Sequence, residues 1–257
     1  MKTMRQFVTD DRLYRALDEV EAWLSYEIKA VPMPERHRCY AAAGISLGKT
    51  NEFELWYIEG EPQSQATYCH ELMHVVRWID GDPLVCRIHE TSLGNAPSEP
   101  VRKAWMLVQH IPIWHLVKEM GFDESEDHNQ YMENLIRVTS QGQLYWDAPP
   151  ELKTPFQAVA LTCGLSRPAT AEKLNCLRNA AKNMIPKALE LADIRVLAYK
   201  KQPLFSPQEF LDALTDLLYL IRTPTESLQV SFLSNTCPNF RARILATASK
   251  KGNSSQE

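Results

Sequence analysis

Ser64-Gln65-Ala66-Thr67-Tyr68-Cys69-His70-Glu71-Leu72-Met73-His74-Val75-Val76-Arg77-Trp78-Ile79-Asp80-Gly81 is the stretch from which the rest of the chain is read. Ser64 suits a helix N-cap, because its hydroxyl can accept an N–H that the first turn leaves without a partner. Gly81 and Pro83 supply termination chemistry at the other end, so the pattern predicts a helix to about Asp80. At roughly 100° per residue, His70 and His74 fall within about 40° of each other. Thr67 lies between them, and Glu71 sits about one step round from His70. Tyr68, Cys69, Leu72, Val75, Val76 and Ile79 gather on the other side. The expected helix has one apolar face anchored in a core and a second face that presents two imidazoles to a cleft.

His70-Glu71-Leu72-Met73-His74 is an HExxH sequence, and its spacing has a chemical reason. Zinc takes imidazole nitrogen at about 2.0–2.1 Å, and two histidines one turn apart supply two donors from one rigid element. A third protein ligand leaves a position for water, whose pKa the metal lowers towards ~7. Glu71 is then placed as the general base that takes the proton and carries it to the leaving group. A chance HExxH in a chain this long is expected roughly once in a hundred or more sequences. Here it also follows a predicted strand and lies on a helical pattern, which favours metal over a pair of surface histidines.

The HExxH segment resembles the active-site helix of the zincin metallopeptidases. The layout is also similar to small intracellular bacterial zincin-like proteins, including the group that cleaves repressor proteins in stress and mobile-element regulation. The resemblance implies an α+β fold: a zincin-like domain with a short β-sheet and an active-site helix, followed by a mainly helical C-terminal part. It implies an edge strand ahead of the helix, which by analogy is Glu52–Ile58, with a peptide substrate pairing along it. The word "peptide" comes from that resemblance; the residues alone specify metal-assisted hydrolysis.

The third ligand is open among several residues. Metzincins extend the motif to HExxHxxGxxH, but Arg77 stands where the glycine belongs and Asp80 where the last histidine belongs. Gluzincins place a glutamate on a second helix some twenty residues on; this chain has Leu93 and Gly94 there, straddled by Glu90 and Glu99. His110 is the preferred candidate, because it ends a predicted helix just before Ile111-Pro112 and could turn inward. Gln109-His110-Ile111-Pro112-Ile113-Trp114 also resembles a His-Pro-aliphatic stretch in uncharacterised bacterial HExxH proteins. The competing role for His110 is a helix-end histidine bonded to a carbonyl. His115 is expected to be packed or on the surface, and His37, His89 and His128 to be exposed. Tyr131 and Arg77 are candidates to stabilise an oxyanion, against ordinary packing or surface roles. Trp105, Trp114 and Trp146 read as core or cleft-wall aromatics, and Cys69 points to the apolar side.

Working outward, residues 10–30 carry a helical period, broken by Pro32 and Pro34. Strands are expected at Arg38–Ile45 and Glu52–Ile58, joined by a turn at Gly48-Lys49-Thr50-Asn51. Residues 82–100 read as a loop-rich connection. Helices are expected at 101–110 and 112–120, with Pro112 in a first turn and Gly121 as a cap, and at about 127–140. Residues 151–222 read as almost entirely helical, and Ser206-Pro207-Gln208-Glu209 has a capping-box arrangement. Leu211, Leu214, Leu217, Leu218 and Ile221 form an apolar stripe. The expected division is a catalytic domain at 1–148, a helical region at 149–246 and a disordered tail at 247–257.

A formal charge of −4 gives no electrostatic case for nucleic acid or an anionic membrane, so neither is expected as a partner. The partner expected is a peptide or protein substrate. The N-terminal residues run into charged, periodic sequence, which predicts a cytoplasmic protein. Six scattered cysteines without CxxC spacing read as buried thiols of a reducing compartment. The expectation is therefore a zinc metallopeptidase, with His70, His74 and His110 on Zn2+ and Glu71 as the base. A zinc-stabilised regulatory or protein-binding module with vestigial catalysis is the alternative, and a metal-free helical interaction protein is a third.

Overall fold

The computed structural model describes residues 2–33, 43–61, 63–83, 85–88, 99–204, 206–222 and 228–249. The chain begins with strand β1 (Lys2–Thr3), a 3-10 turn at Met4–Gln6, helix α1 (Asp11–Leu24) and strand β2 (Lys29–Pro32). Strands β3 (Ala43–Leu47) and β4 (Phe53–Tyr57) form a hairpin that leads into helix α2 (Gln65–Asp80). Strand β5 (Val85–Ile88) and helices α3 (Glu99–Glu119), α4 (Asn129–Ser140), α5 (Pro150–Ser166) and α6 (Ala171–Met184) follow. Helices α7 (Pro186–Lys201) and α8 (Pro207–Leu220), strand β6 (Leu228–Ser231) and helix α9 (Phe240–Ala248) complete the order. The fold is mixed α+β, mainly helical with a small four-stranded sheet. Among the described residues no helix is long and apolar enough to cross a membrane.

The chain divides into two compact units that interleave in sequence. One comprises Met1–Gly81, Leu116–Asp123 and Leu233–Glu257; the other comprises Asp82–His115 and Glu124–Phe232. The division expected near residue 148 falls inside the second unit.

In the first unit the sheet has the order β1-β2-β4-β3. β2 and β4 are parallel, whereas β1 and β3 run antiparallel to their neighbours. β4 alternates as its sequence predicts: Phe53, Leu55 and Tyr57 are buried on one face, with Glu54 and Trp56 on the other. Gly48 N–H bonds the Glu52 carbonyl at 2.8 Å, and Asn51 takes a left-handed φ of 58° to close the hairpin. β4 is central, not the edge strand expected from the resemblance. Its position follows from having strand partners on both sides, which a single sequence does not reveal. The edge is β3. The Gly48–Glu52 bond sets the ladder phase, so Ala43, Ile45 and Leu47 turn their N–H and C=O groups outward.

Helix α1 starts at Asp10, whose carboxylate accepts from Arg12 N–H and Leu13 N–H, and stops at Ser25, which is left-handed at φ 65°. It is shorter than the period over 10–30 implies, because residues 29–32 are claimed by the sheet as β2. Leu13, Leu17 and Val20 are buried, and α1 packs on α2 and α9. Strand Arg38–Ile45 begins outside the described residues; its described part appears as β3 from Ala43.

In the second unit α5 lies between two apolar clusters. Val159 and Cys163 join one with Leu107, Val108 and Trp114 of α3 and Phe210, Leu214 and Leu217 of α8. Ala158, Leu161 and Leu165 join the other with Leu135 of α4, Leu177 of α6 and Val196 of α7. The predicted stripe on α8 is core: Leu214, Leu217, Leu218 and Ile221 are buried, with Leu211 packed against them. The capping box at Ser206 and Glu209 is present.

The break expected at Pro112 does not occur; α3 runs from Glu99 to Glu119 with Pro112 inside it. A proline removes one N–H and crowds the preceding turn, but packing of both flanking turns outweighs that local cost. Gly121 does cap the helix, at φ 83°, with Phe122 N–H bonding the Val117 carbonyl at 3.1 Å. β1, β2, β5, β6 and α9 were not expected. α9 occupies Phe240–Ala248, and the residues from 250 of the expected disordered tail lie outside those described.

Candidate metal centre

The helix bearing the motif starts and stops where its sequence predicts. Ser64 Oγ accepts from Thr67 N–H at 3.0 Å, and Gly81, left-handed at φ 114°, caps the other end. Its surroundings differ from the expectation of one apolar and one open face: Tyr68 through Asp80 are all buried. Core, sheet and α9 enclose the helix, so the polar residues on it are buried as well.

His70, Glu71 and His74 are each 8% exposed, enough to be reached and too little to be surface groups. The two imidazoles converge, with ring centroids 5.1 Å apart at an interplanar angle of 65°. One turn further on, Trp78 lies 5.5 Å from the His74 ring and stacks on Phe53 of β4 at 5.4 Å and 14°. The strand thus sets the tryptophan, and the tryptophan limits how His74 can rotate. Sequence reasoning passed over Trp78, although its position four residues after His74 was a usable signal.

His110 stands in mid-helix on α3 and not at a helix end. Its Nδ1 lies 2.6 Å from the Met106 carbonyl oxygen, and its ring is 5.7 Å from that of Trp114. A carbonyl oxygen can only accept, so Nδ1 carries the hydrogen and Nε2 is the nitrogen that would meet a metal. The carbonyl bond weighed as the competing role for His110 is therefore present, and it prepares the ring as a ligand. Of the residues singled out in the sequence, His70, Glu71 and His74 stand together on α2 in the first unit, and His110 stands on α3 in the second. Paired imidazoles one helical turn apart are donors that suit a divalent transition ion.

Asp80 has a different occupation. Its Oδ1 accepts from Phe240 N–H at 2.7 Å, and its Oδ2 pairs with Arg241 and, at 3.4 Å, with Arg77. The side chain is 2% exposed and clasps the start of α9. Arg77, weighed as an oxyanion stabiliser, is equally buried in that clasp. Tyr131 packs among the apolar residues of the second unit, and Arg167 lies 4.0 Å over its ring. Burial pushes the Tyr131 hydroxyl pKa well above its ordinary value.

His115 is exposed. His128 is not the exposed residue expected: it is largely buried, 3.1 Å from Arg167 through Nδ1 and 6.1 Å from the Trp114 ring. Trp114 is core, whereas Trp146 is 66% exposed and lines no core. Cys69 and Cys163 are buried, as expected, and in no disulfide; Cys176 is exposed and Cys237 is half-buried. His37, His89, Glu90 and the Glu99 side chain lie outside the described residues.

Comparison with known proteins finds no matching family model, curated protein or solved structure.

Proposed function

We propose that the chain is a zinc-dependent hydrolase of the zincin type that cleaves a peptide or protein amide bond. The observation that carries this reading is the converging pair His70 and His74 on α2, with Glu71 next to the first of them; His110 is the third ligand in this reading. Zinc matches the donors, because imidazole is its common ligand and three histidines leave a position open. When bound, the ion supplies Lewis-acid polarisation and acidifies water. The chain's own residues do the rest. Glu71, held near the histidines by the helix, takes the proton from the attacking water and delivers it to the departing amide nitrogen. Trp78 and the Met106 carbonyl keep His74 and His110 oriented. The edge of β3, which pairs with no further strand among the described residues, offers three outward-facing residues, Ala43, Ile45 and Leu47, to an extended peptide backbone. This transfers to β3 the role that the resemblance assigned to Glu52–Ile58. Free thiols at the described cysteines suit a reducing, cytoplasmic setting.

The test is elemental analysis of purified, reconstituted protein, together with cleavage of a mixed peptide library. One equivalent of zinc is expected in wild type and in Glu71→Gln, with cleavage in wild type alone. His110→Ala is expected to lose most of the zinc. Less than a tenth of an equivalent in wild type ends the metal reading. Bound zinc with Glu71→Gln leaving cellular activity unchanged favours a binding module over an enzyme.

A further inference from the structure

Arg167 stands just past the last residue of α5, half-buried, and its surroundings are unusual for a cation. Its Nη1 lies 3.1 Å from His128 Nδ1 and its Nη2 lies 3.8 Å from Met106 Sδ. Its guanidinium carbon sits 4.0 Å over the Tyr131 ring and 5.5 Å from the Trp114 ring. Nε is buried with no acceptor. Among the described residues no carboxylate pairs with Arg167, whereas Arg77, Arg178, Arg195 and Arg241 each meet one. The acidic group along this chain of contacts, Glu124, reaches His128, at 4.0 Å from Nε2.

Buried guanidinium groups are ordinarily matched by carboxylates, because their donors fit the two oxygens side by side. The C-terminal end of α5 favours a positive charge here, but a helix dipole does not use the donors. Each Nη nitrogen has two hydrogens. With Nη1 directed to His128 and Nη2 to Met106, each nitrogen still has a second hydrogen with which to meet a carboxylate oxygen. Tyr131 and Trp114 hold the plane of the group, so it is oriented in advance.

The platform is shared with His110, the third ligand of the proposed metal site. The Trp114 ring that flanks Arg167 also lies 5.7 Å from the His110 ring, and Met106 meets Arg167 through sulfur and His110 through its carbonyl. We propose that Arg167 is a specificity-determining residue that binds a carboxylate of the substrate. The carboxylate comes from a peptide C terminus or from an acidic side chain. That it belongs to a substrate rests on the hydrolase reading; carboxylate binding itself needs no metal.

The experiment is titration calorimetry on metal-free and zinc-loaded wild type with two pairs of probes. N-acetyl-Gly-Phe against its C-terminal amide tests a chain terminus, and N-acetyl-Asp-amide against N-acetyl-Asn-amide tests a side chain. In one pair the acid is expected to bind about ten-fold tighter with or without zinc, as fits charge-assisted hydrogen bonds. The pair that discriminates names the source. Arg167→Met is expected to abolish the preference while retaining the wild-type zinc content and circular dichroism. If that variant fails to fold, Arg167→Lys decides, with a reduced preference expected and an undiminished one overturning the proposal. Equal affinity for acid and neutral probes in wild type, or a preference that survives Arg167→Met, also overturns it. Protein that takes no zinc but prefers the acids sinks the hydrolase reading and leaves Arg167 standing; zinc binding without the preference does the reverse.

Discussion

Replacing Asp80 by alanine separates its role in the clasp from a role as a metal ligand. The carboxylate is 2% exposed and accepts from Phe240 N–H at 2.7 Å while pairing with Arg241 and Arg77. Alanine leaves the Phe240 N–H without its acceptor and takes a carboxylate from two guanidinium groups. Removing one partner of a buried ion pair costs about 3–5 kcal/mol. Arg241 is a quarter exposed and can turn to water, which places the expected cost at the lower end, about 3 kcal/mol. For a unit of this size that corresponds to a fall in Tm of roughly 10 °C. Differential scanning calorimetry reads the fall, and hydrogen exchange over residues 237–248 locates it. Zinc content is expected to stay at the wild-type level. Loss of zinc with stability intact makes Asp80 a ligand after all, and a cost below about 1 kcal/mol refutes the clasp energetics.

The remaining predictions concern stability and are read by urea unfolding. Arg12 first, then the N–H groups of Arg12 and Leu13, hold the Asp10 carboxyl below its ordinary pKa, so its stabilisation is full above the unfolded value and is lost as pH falls through the folded one. Asp10→Ala should therefore cost about 1 kcal/mol at pH 7 and progressively less below about pH 4; the same cost at pH 3 and pH 7 contradicts the assignment. Ser206→Ala breaks the capping box of α8 and should cost about 1 kcal/mol. Leu161→Ala empties a fully buried position on α5 and should cost about 2–5 kcal/mol, with a loss under about 1 kcal/mol arguing against tight packing there.

What the sequence disclosed was local. Ser64, Gly81, Ser206 and Gly121 marked helix ends because caps act within one turn, and β4 showed itself by strict alternation. The HExxH spacing put His70 and His74 on one turn for the same reason. What it concealed depends on partners distant in the chain. β1 has two residues and β6 four, and each is defined by the strand it pairs with. β4 alternates equally well at an edge or in the middle of a sheet, so its central place was not readable. Asp80 meets Phe240 across 160 positions, and no local pattern announces such a contact. Arg167 gave no signal of its own either, because its setting is assembled from α3, α4 and the connection before α4.

The clasp at Asp80 also has a consequence in time. A chain made from its N terminus presents α2 long before residues 237–248 exist. Until they are synthesised, the end of the motif helix holds an aspartate and an arginine without their later cover, and Ile79 lacks the Cys237 N–H that its carbonyl accepts at 2.7 Å. Completion of the first unit must therefore wait for residues 237–248 to emerge from the ribosome. Nascent protein is thereby kept from a finished motif helix until that segment has been made.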